Sequence, residues 1–306
     1  MHDILIIGAG PAGLTAAIYC RRAGKSVLVL EKETFGGQIT YSPKVENYPG
    51  FCELSGSELG EKLVEQALFF GAEIELDKAT GIVDHGSYKT VRGEYADYPA
   101  RSVIIASGSR HRQLGLPREN EFIGNGVSYC ALCDGAFYKG REVAVIGGGN
   151  TALQDAVLLS EICTRVTIIQ NLGFCTGEQA LVDKLKAKSN VSFIFNTVID
   201  ELEGDSELEA LMLENTDTGK QERFPVNGIF VAIGQVPENK PFETVCDLSE
   251  QGYIEAGEST FTRTSGIFAA GDCRTKNIRQ VVTATGDGAS AALAACRYVD
   301  NLPAGN

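Results

Sequence analysis

Histidine is scarce in this chain. The three in 306 residues, His2, His85 and His111, sit apart and near no second cysteine pair. A zinc site takes about four ligands, so no metal is expected. Basic residues are outnumbered, with 27 lysines and arginines against 40 aspartates and glutamates, a net charge of −13. Nucleic-acid phosphates are held largely by lysine and arginine, so no nucleic-acid partner is expected. No apolar run reaches the roughly 18 residues of a membrane span. The first apolar strand, "DILIIGAG", begins at Asp3, so no leader is expected. A cytoplasmic protein without a membrane partner is therefore expected. A content of 43% hydrophobic and 22% charged residues suits an ordinary globular chain, long enough for two domains.

What is present is an internal repeat. "DILIIGAGPAGLTAAIYCRRAGKSVLVLEKE", from Asp3, lies without a gap over "EVAVIGGGNTALQDAVLLSEICTRVTIIQNL", from Glu142. Gly8 meets Gly147, Gly10 meets Gly149, and Gly13 meets Ala152. Each copy reads as an apolar strand, a G-x-G-x-x-[GA] turn, an amphipathic helix and a second β-branched strand. The first glycine permits the tight turn, the second lets the backbone approach a pyrophosphate, and the third lets the helix pack on the sheet. The pyrophosphate rests on the amides of the helix N-terminus. Two dinucleotide sites are expected.

The copies differ where the second strand ends. Glu31 closes the first, where a carboxylate accepts ribose hydroxyls; its counterpart is Gln170, followed by Asn171. An acid at this position favours NAD and nearby arginines accept the phosphate of NADP. The second copy carries neither. Gln170 is read as a ribose contact or, alternatively, as a strand cap in solvent.

Strands "SVIIASGS" (102–109), "GIFVAIGQVP" (228–237) and "TSGIFAAGDC" (264–273) follow, ending at Gly108, Gly234 and Gly271-Asp272. The last strand, with the helix "QVVTATGDGASAALAACRYV", reads as a return to the first domain. The expected fold is α/β, with two Rossmann-like βαβ nucleotide-binding domains, the second inserted into the first. The expected boundaries are 1–112 with 243–306, and 113–242. Hinges at Gly108–Arg112 and Gly234–Pro237 would let the inserted domain rotate.

Nine cysteines is an odd count in a chain too large to need disulfides. Seven are scattered, and read as small buried or half-buried side chains. Cys130 and Cys133 form a C-x-x-C followed by Asp134, in "SYCALCDGAF". The motif suits a redox dithiol, with metal binding or coincidence as alternatives. If a helix starts here, its amides favour thiolate at the second cysteine. Asp134 is placed to move a proton or to cap a helix. Nine residues separate Cys133 from Val143, so one inserted domain carries both the dithiol and the second nucleotide turn.

Essentially the whole chain resembles the low-molecular-weight thioredoxin reductases of bacteria. The matching pieces are "GAGPAG", "GGQI", "VENYPGF" (45–51), "YCALCDG", "GGGNTA", "AIG", "FAAGDC" and "RQVVTATGDG". The resemblance implies a flavoprotein disulfide reductase with FAD and a nicotinamide coenzyme, thioredoxin as partner, and a homodimer. It implies Gly8, Gly10, Pro11, Ala12, Gly13, Glu31, Gly37, Gln38, Asn47, Gly108, Gly271, Asp272, Arg279, Gln280 and Val281 at the FAD. It implies Gly147, Gly149, Asn150, Thr151, Ala152, Gln170 and Asn171 at the nicotinamide dinucleotide. It places Cys133 toward the flavin, Cys130 toward thioredoxin and Asp134 as general acid.

One stretch departs from the pattern. NADPH-dependent members carry H-R-R-x-x-x-R after the second strand, and here the segment is "QNLGFCT", without those arginines. Arginine–phosphate pairs are strong charge-assisted contacts, so NADH is the expected donor ahead of NADPH. Two rival readings are a ferredoxin-dependent flavin thioredoxin reductase and an NADH-dependent disulfide reductase serving a peroxidase system. The first tends to lose the second glycine turn, and the second usually carries extra N-terminal domains. A flavin-binding redox sensor without turnover is a further rival, but it has no evident need for a dithiol beside a second nucleotide turn.

Overall fold

The computed structural model describes residues 1–42 and 45–302; the last four residues of the expected first domain, 303–306, lie outside them. The chain divides into two compact units, 1–110 with 236–306, and 111–235. Each is α/β and built on a parallel sheet. Among the described residues, no helix is long and apolar enough to cross a membrane.

In the first unit the strand His2–Ile7 lies centrally, with Ile4, Leu5 and Ile6 wholly buried. Burying such a side chain contributes about 1.5–3 kcal/mol, which is why an uninterrupted apolar run occupies a strand covered on both faces. Val27–Glu31 pairs with it in parallel, Ile4 opposite Val27, and Asp97–Ile105 does so on the other side, Ile4 opposite Ser102. Glu73–Leu76 and Ile267–Ala269 extend the parallel set. Lys89–Arg92 and Gly81–Asp84 continue the sheet antiparallel.

Between the first two strands runs the helix Pro11–Arg22. Pro11 starts it, where the missing N–H costs nothing and the fixed φ suits a helix. Arg21 and Arg22 complement the dipole of its last turn. The long helix Val281–Asp300 begins on a reciprocal cap between Gln280 and Thr283 and packs on Pro11–Arg22 at close range. A Cβ at Gly288 would lie 2.1 Å from the Ala12 carbonyl oxygen.

The second unit repeats the scheme with strands Val191–Ile194, Arg165–Ile169, Glu142–Ile146, Gly228–Val231 and Val127–Ser128, all parallel. The helix Asn150–Ser160 joins Glu142–Ile146 to Arg165–Ile169. An antiparallel sheet of Thr197–Glu203, Ala210–Asn215 and Gln221–Pro225 covers one face, burying Leu202, Leu211 and Leu213 with Ile146 and Ile229.

Candidate functional site

The two glycine turns match bond for bond. The Gly8 amide donates to the Leu30 carbonyl at 2.7 Å, and the Gly147 amide to Ile169 at 2.9 Å. Both glycines hold φ in the left-handed region, +107° and +126°. A Cβ there would strike the Ala106 oxygen at 2.3 Å or the Ala232 oxygen at 2.5 Å. Only glycine meets both demands. Gly10 and Gly149 are the N-caps of the following helices, leaving first-turn amides free of intrahelical bonds. The third position separates the copies. A Cβ on Gly13 would sit 1.8 Å from the Gly8 oxygen, whereas Ala152 is accommodated and wholly buried.

Glu31 and Gln170 also occupy equivalent places, and both fold back beneath the turn. Glu31 Oε2 accepts from the Ala9 amide at 2.8 Å, and Oε1 accepts from Lys32 and Glu33. Gln170 is buried, with Nε2 packed so close that a Cβ on Gly148 would lie 2.6 Å away. Its Oε1 accepts from the Asn171 amide at 3.2 Å, and Nε2 donates to the Phe174 carbonyl at 3.4 Å. Gln170 is thus not a cap in solvent; it braces the loop from inside. The Asn171 side chain is exposed. The loop is pinned to the turn by the Thr176 and Gly177 amides, both donating to Gly148 oxygen. Asn150 is tied to Glu178 through its amide oxygen at 2.7 Å and its nitrogen at 3.2 Å. Thr151, next along the helix, is exposed.

The rest of the first candidate site gathers within the first unit. Gly37 approaches Gly10 so closely that a Cβ would lie 2.9 Å from its Cα. Gln38 follows in the short helix Gly37–Tyr41, and Asn47 donates to Gln280 at 3.3 Å. Gly271, at φ +78°, approaches Ala12, and Gly108 turns at φ +69°. Val281 opens the last helix. Asp272 Oδ1 and Arg279 Nε are buried without a hydrogen-bond partner among the described residues. Burial raises the Asp272 carboxyl above its usual range despite the Lys276 and Arg279 cations. Asp272 Oδ1 lies 3.8 Å from Lys276 Nζ without a hydrogen bond; buried groups so placed call for a polar ligand, and with the glycine cradle they fit a dinucleotide cofactor. The Arg279 guanidinium lies over the Tyr253 ring, 4.2 Å from its centroid. Sequence reasoning missed Asp287, which fixes the Gly271 turn. Its carboxylate accepts from the Gly271 amide at 3.0 Å and is paired with Arg274 at 2.7 Å and Lys276 at 3.0 Å.

In the second unit Cys130 and Cys133 are joined in a disulfide. Cys130 caps the short helix Ala131–Asp134, and the Cys133 amide donates to its Sγ at 3.1 Å. In the oxidised pair the helix-start amide thus contacts the first sulfur. Asp134 Oδ2 accepts from the Ser128 hydroxyl at 2.6 Å, while Oδ1 is buried without a partner among the described residues. Burial raises this carboxyl, and the Ser128 bond opposes the shift only in part. Ser128 also accepts from the Cys130 amide at 3.1 Å, so one hydroxyl orients both the cysteine and the acid. Sequence reasoning missed Ser128. Among the described residues, no group of three or more potential ligands could hold a metal ion.

Comparison with known proteins agrees with this geometry. The model of the pyridine nucleotide-disulphide oxidoreductase family matches residues 2–288. A thioredoxin reductase of Bacillus subtilis (strain 168) is 42% identical over 303 residues, covering 99% of this chain and 96% of that protein. The crystal structure of thioredoxin reductase from Streptococcus pyogenes MGAS5005 is similar at a TM-score of 0.93 and 37% identity, covering 98% of each chain. Thioredoxin reductase from Giardia duodenalis has a TM-score of 0.91 and 32% identity, covering 98% of this chain and 99% of that one. A redox disulfide beside a buried acid, two glycine turns of one design, and these full-length likenesses lead to one assignment: the chain belongs to the pyridine nucleotide-disulphide oxidoreductase family, in its low-molecular-weight thioredoxin reductase branch.

Proposed function

We propose that this protein is a FAD-dependent thioredoxin-disulfide reductase that draws its electrons from NADH in preference to NADPH. The observation that carries the donor is the loop after the second glycine turn. From Gln170 to Glu178 it holds no lysine or arginine, yet it covers a turn of the dinucleotide-binding form. A 2′-phosphate placed there meets no arginine of the loop and the like charge of Glu178; the cations that follow, Lys184 and Lys186, stand in the last turn of the helix Gln179–Lys186. Asn171 offers an exposed amide to an unphosphorylated ribose. Retention of the turn favours a nicotinamide over ferredoxin.

In this reading Gly8, Gly10 and the first turn of Pro11–Arg22 hold the FAD pyrophosphate, and Asp272 and Arg279 use their free polar atoms on the remainder of the cofactor. Bound FAD supplies two-electron transfer between the nicotinamide and the disulfide. Cys133 receives the electron pair as the Cys130–Cys133 bond breaks, and Asp134, protonated more readily because it is buried, gives up a proton to the thiolate so formed. Cys130, as thiolate, attacks one sulfur of the thioredoxin disulfide, the other sulfur leaves, and a mixed disulfide forms. Cys133 then attacks Cys130 sulfur, the mixed disulfide breaks, and thioredoxin leaves as a dithiol. The family resemblance implies a homodimer.

The test is steady-state oxidation of NADH coupled to reduction of thioredoxin. Wild type is expected to turn over, and Cys130→Ser to lose thioredoxin reduction by at least about a hundredfold while its flavin still accepts electrons. A Cys130→Ser protein that reduces thioredoxin at the wild-type rate overturns the cysteine assignment.

A further inference from the structure

Arg274 and Arg279 both follow the Gly271–Asp272 turn, and they are held in opposite ways. Arg274 is a structural cation. Its guanidinium pairs with both oxygens of Asp287, Nε at 2.8 Å and Nη2 at 2.7 Å, while Nη1 donates to the Ala256 and Thr275 carbonyls. Its charge is met and its donors are used. Arg279 has neither arrangement. Its Nε is buried without a partner, and among the described residues no hydrogen bond or ion pair holds its guanidinium. What it faces is a ring, the centroid of Tyr253 lying 4.2 Å from the guanidinium carbon.

The Tyr253 ring is carried by a fixed stretch of backbone. Gly252 turns the chain at φ +84°. The Tyr253 amide then donates to the Ser249 hydroxyl at 3.2 Å, and its carbonyl accepts from the Ser249 amide at 2.8 Å. Ile254 is bonded to the segment after Asp272: its amide donates to the Cys273 carbonyl and its carbonyl accepts from the Thr275 amide, both at 2.9 Å. Asn239, wholly buried, donates to the Gly252 carbonyl at 3.0 Å and the Cys273 carbonyl at 2.7 Å. The segment that carries Asp272 is thereby tied to the one that carries the ring.

A carboxylate and a ring restrain an arginine differently. A carboxylate occupies N–H donors and cancels the charge. An aromatic face attracts the cation from one side and leaves the donors at the edge of the guanidinium plane free. A guanidinium ordered in this way before its ligand arrives also loses less freedom on binding. We propose that Tyr253 is a positioning residue of the flavin site: its ring holds the Arg279 guanidinium by cation–π attraction, so that the free N–H edge is presented to acceptor atoms of FAD. The inference rests on the FAD reading above and adds to it a residue that acts through another.

The test follows release of FAD from the full-length holoenzyme after dilution, read as the growth of free-flavin fluorescence. Tyr253→Leu, which removes the ring, is expected to release FAD at least about fivefold faster than wild type. Tyr253→Phe, which keeps the ring, is expected to match wild type. In an Arg279→Gln background the Tyr253→Leu change is expected to add less than about twofold, because its effect runs through the arginine. Trifluorophenylalanine at position 253 keeps the shape of the ring and weakens its quadrupole, so release faster than from Tyr253→Phe is expected there even should Tyr253→Leu not fold. Release from Tyr253→Leu at the wild-type rate overturns the proposal. So does a Tyr253→Phe loss as large as that of Tyr253→Leu, an undiminished effect in Arg279→Gln, or release from the fluorinated protein at the Tyr253→Phe rate. Any of these in a wild type that holds FAD sinks the role of Tyr253 alone, whereas a wild type that takes up no FAD contradicts the FAD reading itself.

Discussion

At the scale of single residues, the candidate site is governed by side chains that hold other side chains. Ser128 donates to Asp134 at 2.6 Å and accepts from the Cys130 amide, so it positions the acid without touching a substrate. Its bond stabilises the carboxylate and so lowers a pKa that burial has raised. Removing the hydroxyl leaves burial unopposed and raises the pKa further. In Ser128→Ala, the alkaline limb of the rate of thioredoxin reduction, where Asp134 loses its proton, is expected to move to higher pH. A hydrogen bond to a charged group contributes about 1.5–3 kcal/mol, and 1.36 kcal/mol is one unit, so a shift on the order of one unit is expected in a pH–rate profile. A profile unmoved by the substitution contradicts this role. Ser128 was not legible in the sequence, because its partner Asp134 lies six residues on, beyond a helical cap that only the folded backbone defines.

At the scale of elements, the glycine turns were legible and their neighbours were not. Gly8 and Gly147 announce themselves because a positive φ and a carbonyl at contact distance together exclude every other residue. The difference between Gly13 and Ala152 was also visible in the alignment, but its meaning is in the packing. The first helix lies against the Gly8 carbonyl, and the second leaves room for a methyl group. Gly13→Ala is expected to cost about 2–3 kcal/mol through backbone displacement, read as a lower urea midpoint and weaker flavin retention. Ala152→Gly is expected to cost no more than about 1 kcal/mol, the usual penalty for glycine within a helix. Equal costs at the two positions contradict the difference in packing. Asp287 escaped the sequence for another reason. Its partners Gly271, Arg274 and Lys276 stand outside its own helix, and no local period records that contact.

At the scale of the whole molecule, two copies of one nucleotide-binding design differ in the loop after the second strand, and in the proposed reading the second sets the donor by what that loop omits. The inserted arrangement was legible in the order of strands, since an apolar strand ending in glycine follows each copy. The buried posture of Gln170 was not. The aligned acid, Glu31, suggested a ribose contact, whereas the Gln170 amide is spent on Phe174 and Asn171 within its own loop. In the proposed reading, discrimination between NADH and NADPH rests on the charge of the loop surface and on Asn171. The most direct test is anaerobic stopped-flow bleaching of the flavin absorbance, with NADH and NADPH compared at the same micromolar concentration and ionic strength. The account predicts that NADH bleaches the flavin at least about tenfold faster, the rate ratio of about 1.4 kcal/mol; bleaching by NADPH as fast as by NADH, or faster, would contradict it.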